Sequence, residues 1–237
     1  MSLPVIVAPT FELTQPSTQK TLTYRPFLVK EEKILLMARE SSDRADMLRA
    51  IKQIITNCIQ SEDFDVNLIP LYDMEYIFIQ LRAKSVDNIV HFHVNDSDDE
   101  KEYDLELDLN SVNVIFPNKP HDGIIKIDDR YSMKLFHPNA GISESLKKMN
   151  DPKDVAMQLI VNCIECVFDE ENVYPWKSST NKEKEDFIDS LNHATFEAIQ
   201  KFFDASPKIE HVVTYKNSLN VEKKVYFRNL DDFFTLY

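Results

Sequence analysis

The sequence predicts an α+β fold: a helical body interrupted by a small antiparallel β insert, with β hairpins near both termini. Three observations carry this. Apolar residues recur at helical spacing across residues 29–85 and 138–204. They alternate at strand spacing across 86–137. Short alternating runs flank turn residues at each end, in an N-terminal arm and hairpin over 1–28 and a C-terminal hairpin and tail over 205–237.

Taken in order, residues 1–10 read as an extended arm. Phe11–Thr14 and Thr21–Tyr24 alternate around Pro16–Gln19, which predicts a hairpin with a longer loop. Lys30–Glu40 is rich in strong helix formers. Ser42 or Asp43 is placed to cap a second helix, whose stripe is Met47, Leu48, Ile51, Ile54, Ile55 and Cys58. A third helix starts near Pro70, with Met74, Ile77, Phe78 and Leu81 on one face. The period then changes. Ile89–Val94 and Tyr103–Leu109 read as strands joined by a polar turn, followed by short strands at Val112–Phe116, Ile124–Ile127 and Met133–Phe136. Asp151-Pro152 starts a helix with the stripe Ala156, Leu159, Ile160, Cys163, Ile164 and Val167. Thr180 or Asn181 starts one long helix that ends at Asp204–Pro207. His211–Tyr215 and Val221–Phe227 form the last hairpin, and Leu230–Tyr237 is a short amphipathic end.

Composition excludes more than it proves. The chain holds two glycines, Gly123 and Gly141. Phosphate-cradling loops, dinucleotide turns and strained nucleophile elbows need several, because backbone must approach a ligand with φ > 0. The chain carries 27 basic and 40 acidic residues, a formal charge of −13. That sign disfavours nucleic-acid binding. No stretch is long or apolar enough for a membrane-spanning helix, and Met1–Pro9 lacks the basic start of a signal peptide. The expectation is a soluble protein, made in the cytoplasm, with neither nucleic-acid nor membrane partners. Three cysteines, Cys58, Cys163 and Cys166, argue against a disulfide scaffold.

Candidate chemistry is sparse, and no cofactor or catalytic residue is expected. Cys163 and Cys166 have the spacing of a metal or redox pair, yet Cys163 falls on a helical apolar stripe and no second pair completes a zinc site. His91 and His93 share one strand face, with Asp104 and Glu106 across from them, so a small metal-dependent enzyme is one alternative function. Asp96, Asp98, Asp99 and Glu100 resemble a calcium loop only in charge, because the mid-loop glycine and the closing Glu are missing. The apolar, Pro-broken arm Leu3–Pro9 and the ending Phe233, Phe234 and Tyr237 each read as docked, on the chain's own core or on another chain.

Tyr24-Arg25-Pro26-Phe27-Leu28-Val29-Lys30-Glu31-Glu32-Lys33-Ile34-Leu35-Leu36-Met37-Ala38 resembles the opening signature of a baseplate hub family of T-even-like phages, whose members are hub subunits or tail assembly factors. Asp73–Ser85 and Phe202–His211 are similar to two further blocks of that family, in the same order. The resemblance implies a non-enzymatic protein of a contractile phage tail. It would be either retained in the baseplate hub or a chaperone that leaves. Its partners would be other tail or hub proteins, the tape measure among them, in the host cytoplasm during assembly or in the virion baseplate. A phage protein that binds a host factor is the remaining alternative. Arg25, Phe27 and Lys30 form the candidate partner-binding edge, beside Phe233, Phe234 and Tyr237. Two readings of that edge stand: a docking surface, or an internal one in which Arg25 pairs with Glu31 or Glu32 and Phe27 staples the helix.

Overall fold

The computed structural model of the chain describes residues 7–41, 43–118, 121–146 and 151–234. Residues 1–6 of the expected arm, the candidate cap Ser42 and the chain end with Tyr237 lie outside them. In chain order the elements are β1 (Phe11–Thr14), β2 (Thr21–Tyr24), α1 (Val29–Glu40), α2 (Arg44–Cys58), α3 (Leu71–Ser85), β3 (Ile89–Asn95), β4 (Glu102–Asp108) and β5 (Val114–Ile115). There follow β6 (Ile124–Lys126), β7 (Ser132–Leu135), α4 (Ala140–Leu146), α5 (Pro152–Asn162), β8 (Ile164–Phe168), β9 (Val173–Pro175), α6 (Asn181–Asp189) and α7 (His193–Asp204). The chain closes with β10 (Lys208–Ile209), β11 (His211–Lys216), β12 (Glu222–Phe227) and α8 (Leu230–Phe234).

The fold is mixed α+β, but the expected helical body with a single β insert is overturned. Among the described residues, twelve strands fall into five small sheets: four two-stranded pairs and one four-stranded sheet, β6-β7-β8-β9. The strands of 86–137 do not assemble together. β3 pairs with β4, β5 pairs with the distant β10, and β6 and β7 join the four-stranded sheet. Two further corrections follow from local chemistry. The stripe through Cys163, Ile164 and Val167 is not helical. α5 ends at Asn162, and Ile164–Phe168 pairs with β7, where β-branched Ile164 and Val167 suit a pleated, half-buried strand. The long helix from Thr180 is two helices. Thr180 and Glu183 form a capping box for α6, Ser190 ends it, and the Asn192 side chain accepts the Thr195 N–H at 2.9 Å to start α7.

The chain divides into two compact units. Unit 1 comprises residues up to Ile115 and from Lys208 onward, and unit 2 comprises Phe116–Pro207. The places where the chain leaves and re-enters unit 1 are paired, because Ile115 lies opposite Lys208 and Val114 opposite Ile209. Unit 1 is built on α2 and α3. Ile51, Ile54, Ile55 and Cys58 are buried, with Met74, Ile77, Phe78 and Leu81. Phe227 packs edge-on against Phe92 at 5.3 Å and tilted against Phe233 at 5.5 Å, which holds α8 to β3 and β12. Unit 2 packs Ile125, Met133, Leu135, Ile164 and Val167 from its sheet against Ile160, Ile188, Ile199 and Phe202 from its helices.

Asp73, in the first turn of α3, fastens the β1–β2 loop. Its carboxylate is wholly buried and accepts the Ser17 N–H at 3.0 Å, the Gln15 Nε2 at 2.7 Å and the Ser17 hydroxyl. Burial pushes its carboxyl up, and the hydrogen bonds from Ser17 and Gln15 offset only part of that. A folded carboxyl above its unfolded value favours the fold at low pH, and that advantage is lost as pH rises through the folded value. Asp73→Ala, which removes three acceptor contacts, is expected to cost about 2 kcal/mol at neutral pH. Asp73→Asn is expected to flatten the fall in stability above the ordinary carboxylate range. Urea unfolding across pH checks both.

Candidate interaction surface

The signature segment Tyr24–Ala38 forms a strand end, a turn and a helix, and its Arg25 and Glu31 charges meet each other. The Arg25 N–H donates to the Cys58 carbonyl at 3.0 Å, and Tyr24 bridges Ile59, so the end of β2 is tied to the end of α2. The Arg25 guanidinium grips the Glu31 carboxylate through two nitrogens, at 3.0 and 3.2 Å, and also donates to the Pro26 carbonyl at 2.9 Å. Glu31 is buried and further accepts the Leu28 N–H at 2.9 Å and the Asn57 Nδ2 at 3.3 Å. Burial alone would raise this carboxyl. The hydrogen bonds from Arg25 and Leu28, with the charges of Arg25 and Lys30, outweigh burial and hold it below the usual range. The pairing partner of Arg25 in the described structure is thus Glu31.

Phe27 donates its N–H to the Ser85 hydroxyl at 2.7 Å and lays its ring 5.6 Å from that of Phe78 on α3. Lys30 stands 3.5 Å from Glu31, with its side chain 65% exposed. Arg25 and Lys30 thus meet at Glu31, whereas Phe27 is engaged by Ser85 and Phe78 of α3. Phe233, by contrast, is buried against Phe227 on a separate part of unit 1. Phe234 closes α8.

The other candidates also resolve into internal contacts. His91 lies 3.4 Å from Glu106 and His93 lies 2.5 Å from Asp104, as two separate, exposed cross-strand pairs. Among the described residues, no group of three or more His, Cys, Asp or Glu side chains could hold a metal ion. Cys163 is buried, and burial pushes its thiol up to about 12, the behaviour of a packing residue. The acidic turn after β3 is met by donors. Asp96 accepts the Tyr215 hydroxyl at 2.9 Å, Lys223 reaches Asp98 at 2.5 Å, and Asp99 accepts the Tyr103 hydroxyl at 2.6 Å and the Ser218 hydroxyl at 2.7 Å. These carboxylates clasp the β3–β4 hairpin to the β11–β12 hairpin, so their oxygens serve protein donors.

A sequence-family model described as T4 bacteriophage base plate protein matches residues 8–235. The chain belongs to this family. No curated protein and no solved structure matches it significantly. The match runs through both units, so it covers the inserted unit 2 of this baseplate protein as well as unit 1. Membership places the baseplate protein with the tail baseplate of a phage virion, among other tail and baseplate proteins.

Sequence reasoning missed one surface of the baseplate protein. α1 buries Glu31 and Ala38, yet its opposite side carries Val29, Leu36 and Met37 at 67, 53 and 71% exposure. Their spacing of seven and eight residues is a second helical stripe. Helix propensity alone does not separate it from the inward stripe.

Proposed function

We propose that this baseplate protein is a non-enzymatic structural subunit of the hub region of a contractile-tail baseplate, retained in the virion and acting through protein–protein interfaces. The observation that carries the reading is the family match over residues 8–235. The likeness of Tyr24–Ala38 to the opening of the hub family supports the hub location. The side-chain chemistry agrees with a scaffold. Among the described residues, the acids of the β3–β4 turn, the His pairs and the buried thiol are engaged in local pairs and packing. The metal-enzyme alternative would require His91 and His93 to give up their separate carboxylate partners. In this reading Arg25 and Phe27 shape the edge from which exposed Lys30 meets a neighbouring tail protein. Phe233 anchors the helix that leads to Phe234 and Tyr237, the second contact.

The test is mass spectrometry of purified, DNA-filled virions beside tail intermediates from infected cells. The expected result is a fixed copy number in mature particles. Presence in intermediates alone would make the protein an assembly chaperone, and absence from both would remove the hub role.

A further inference from the structure

We infer that the outward face of α1 is a self-association surface on which a second copy of this chain packs its own α1 antiparallel about a two-fold axis. Four residues, Val29, Lys33, Leu36 and Glu40, lie along one line of the helix, and Met37 stands beside them, all within an arc of roughly 100°. All five are exposed. The inward face, with Glu31 and Ala38, is already covered by unit 1. Scattered exposed apolar residues need no explanation, but three on one side of a 12-residue helix form a stripe.

The arrangement of charge selects the occupant. Along the line the order is apolar, basic, apolar, acidic. An antiparallel copy centred between Leu36 and Met37 sets Lys33 against Glu40 of the second copy and Glu40 against its Lys33. Leu36 and Met37 then fill the centre. A parallel pair would set Lys33 against Lys33 and Glu40 against Glu40, which repel. One face thus satisfies the self-complementarity that a two-fold contact demands. Among the described residues neither Lys33 nor Glu40 forms an ion pair within the chain, so both are available. A stable dimer buries roughly 800 Å² per partner. One short helix face supplies less, so the contact is weak in dilute solution and forms where copies are held close. The inference needs only α1 and stands apart from the hub assignment.

Sedimentation velocity of the full chain over a range of concentrations, with circular dichroism to confirm folding, is the test. The expected result is a monomer–dimer equilibrium that Met37→Asp weakens by about tenfold or more. Lys33→Glu weakens it as well, and Lys33→Glu combined with Glu40→Lys restores it. Under mild oxidation Leu36→Cys, beside the axis, cross-links two copies beyond the wild-type background. Val29→Cys does not, because the two positions sit roughly 22 Å apart along the helices. A chain that stays monomeric, with no added cross-link at Leu36→Cys, overturns the inference. So does a dimer indifferent to Met37→Asp, or one that cross-links through Val29→Cys instead.

Discussion

Replacing Glu31 with alanine is expected to destabilise unit 1 by about 3–5 kcal/mol, because it strands a buried partner. The Arg25 side chain is 12% exposed and Glu31 is fully buried, so little water reaches the pair to substitute for a lost partner. The truncation leaves the guanidinium without its carboxylate, the Leu28 N–H at the start of α1 without its acceptor, and Asn57 without one of its contacts. Breaking such a pair from one side costs far more than the pair contributes when intact, since the remaining charge keeps its desolvation penalty. In a chain of this size the loss corresponds to a fall in Tm of roughly 6–20 °C for the transition that reports unit 1. Glu31→Gln keeps the shape and an acceptor for Leu28 but removes the charge, and a smaller loss is expected. A Glu31→Ala chain that melts with the wild type would show that the ion pair is dispensable.

The same pair sets a pH dependence. The folded Glu31 carboxyl lies below its usual value. Its contribution is therefore complete above the unfolded glutamate pKa of about 4.3, and it is lost as pH falls through the lower, folded value. Asp73 runs the other way, since its folded carboxyl is raised and its burden grows with pH. Denaturant titrations of wild type, Glu31→Gln and Asp73→Asn separate the two. The first variant should lose the acid-side decline, and the second should lose the decline on the side above the carboxylate range.

Gly123→Ala should damage unit 2 nearly as much, while Gly141→Ala should be harmless. Gly123 takes φ +80°, and a methyl group there would stand 2.3 Å from the backbone carbonyl oxygen of Leu135. That carbonyl belongs to β7, whose Leu135 N–H donates to the Gly123 carbonyl at 2.8 Å, so relief requires parting the β6–β7 ladder. The left-handed backbone alone costs an alanine about 1–3 kcal/mol, and the overlap with backbone adds to it. At Gly141, inside α4, the same methyl meets only the Asn139 side chain at 3.4 Å. Alanine there is expected to gain up to about 1 kcal/mol from helix propensity. Calorimetry, with hydrogen exchange to assign the transition, should show unit 2 weakened by Gly123→Ala while unit 1 holds. Equal effects at the two glycines would contradict this account.

Much of the secondary structure was legible because its signals are local. The alternation in Phe11–Thr14 and Thr21–Tyr24 emerges as β1 and β2, and Asp43 caps α2 with its carboxylate on the Ala45 N–H at 2.8 Å. The Asn192 cap that splits the expected long helix is equally local, but the apolar spacing that predicts one helix continues across it. Of the candidate edge, the internal pairing was legible: Arg25 with Glu31 or Glu32 is a local choice, and the structure selects Glu31, six residues on.

By itself, then, the sequence determined most of the local elements, the scarcity of glycine and the likeness to a phage baseplate family. Only the tertiary structure decided which strands meet. β5 finds β10 across more than ninety residues, the apolar run after Asn162 becomes a strand because β7 offers it a ladder, and the acids of the β3–β4 turn find their donors on β11 and β12. The reason is physical. Helix caps and hairpin turns are stabilised by bonds within a few residues, whereas sheet pairing and buried charge depend on partners that spacing along the chain does not reveal.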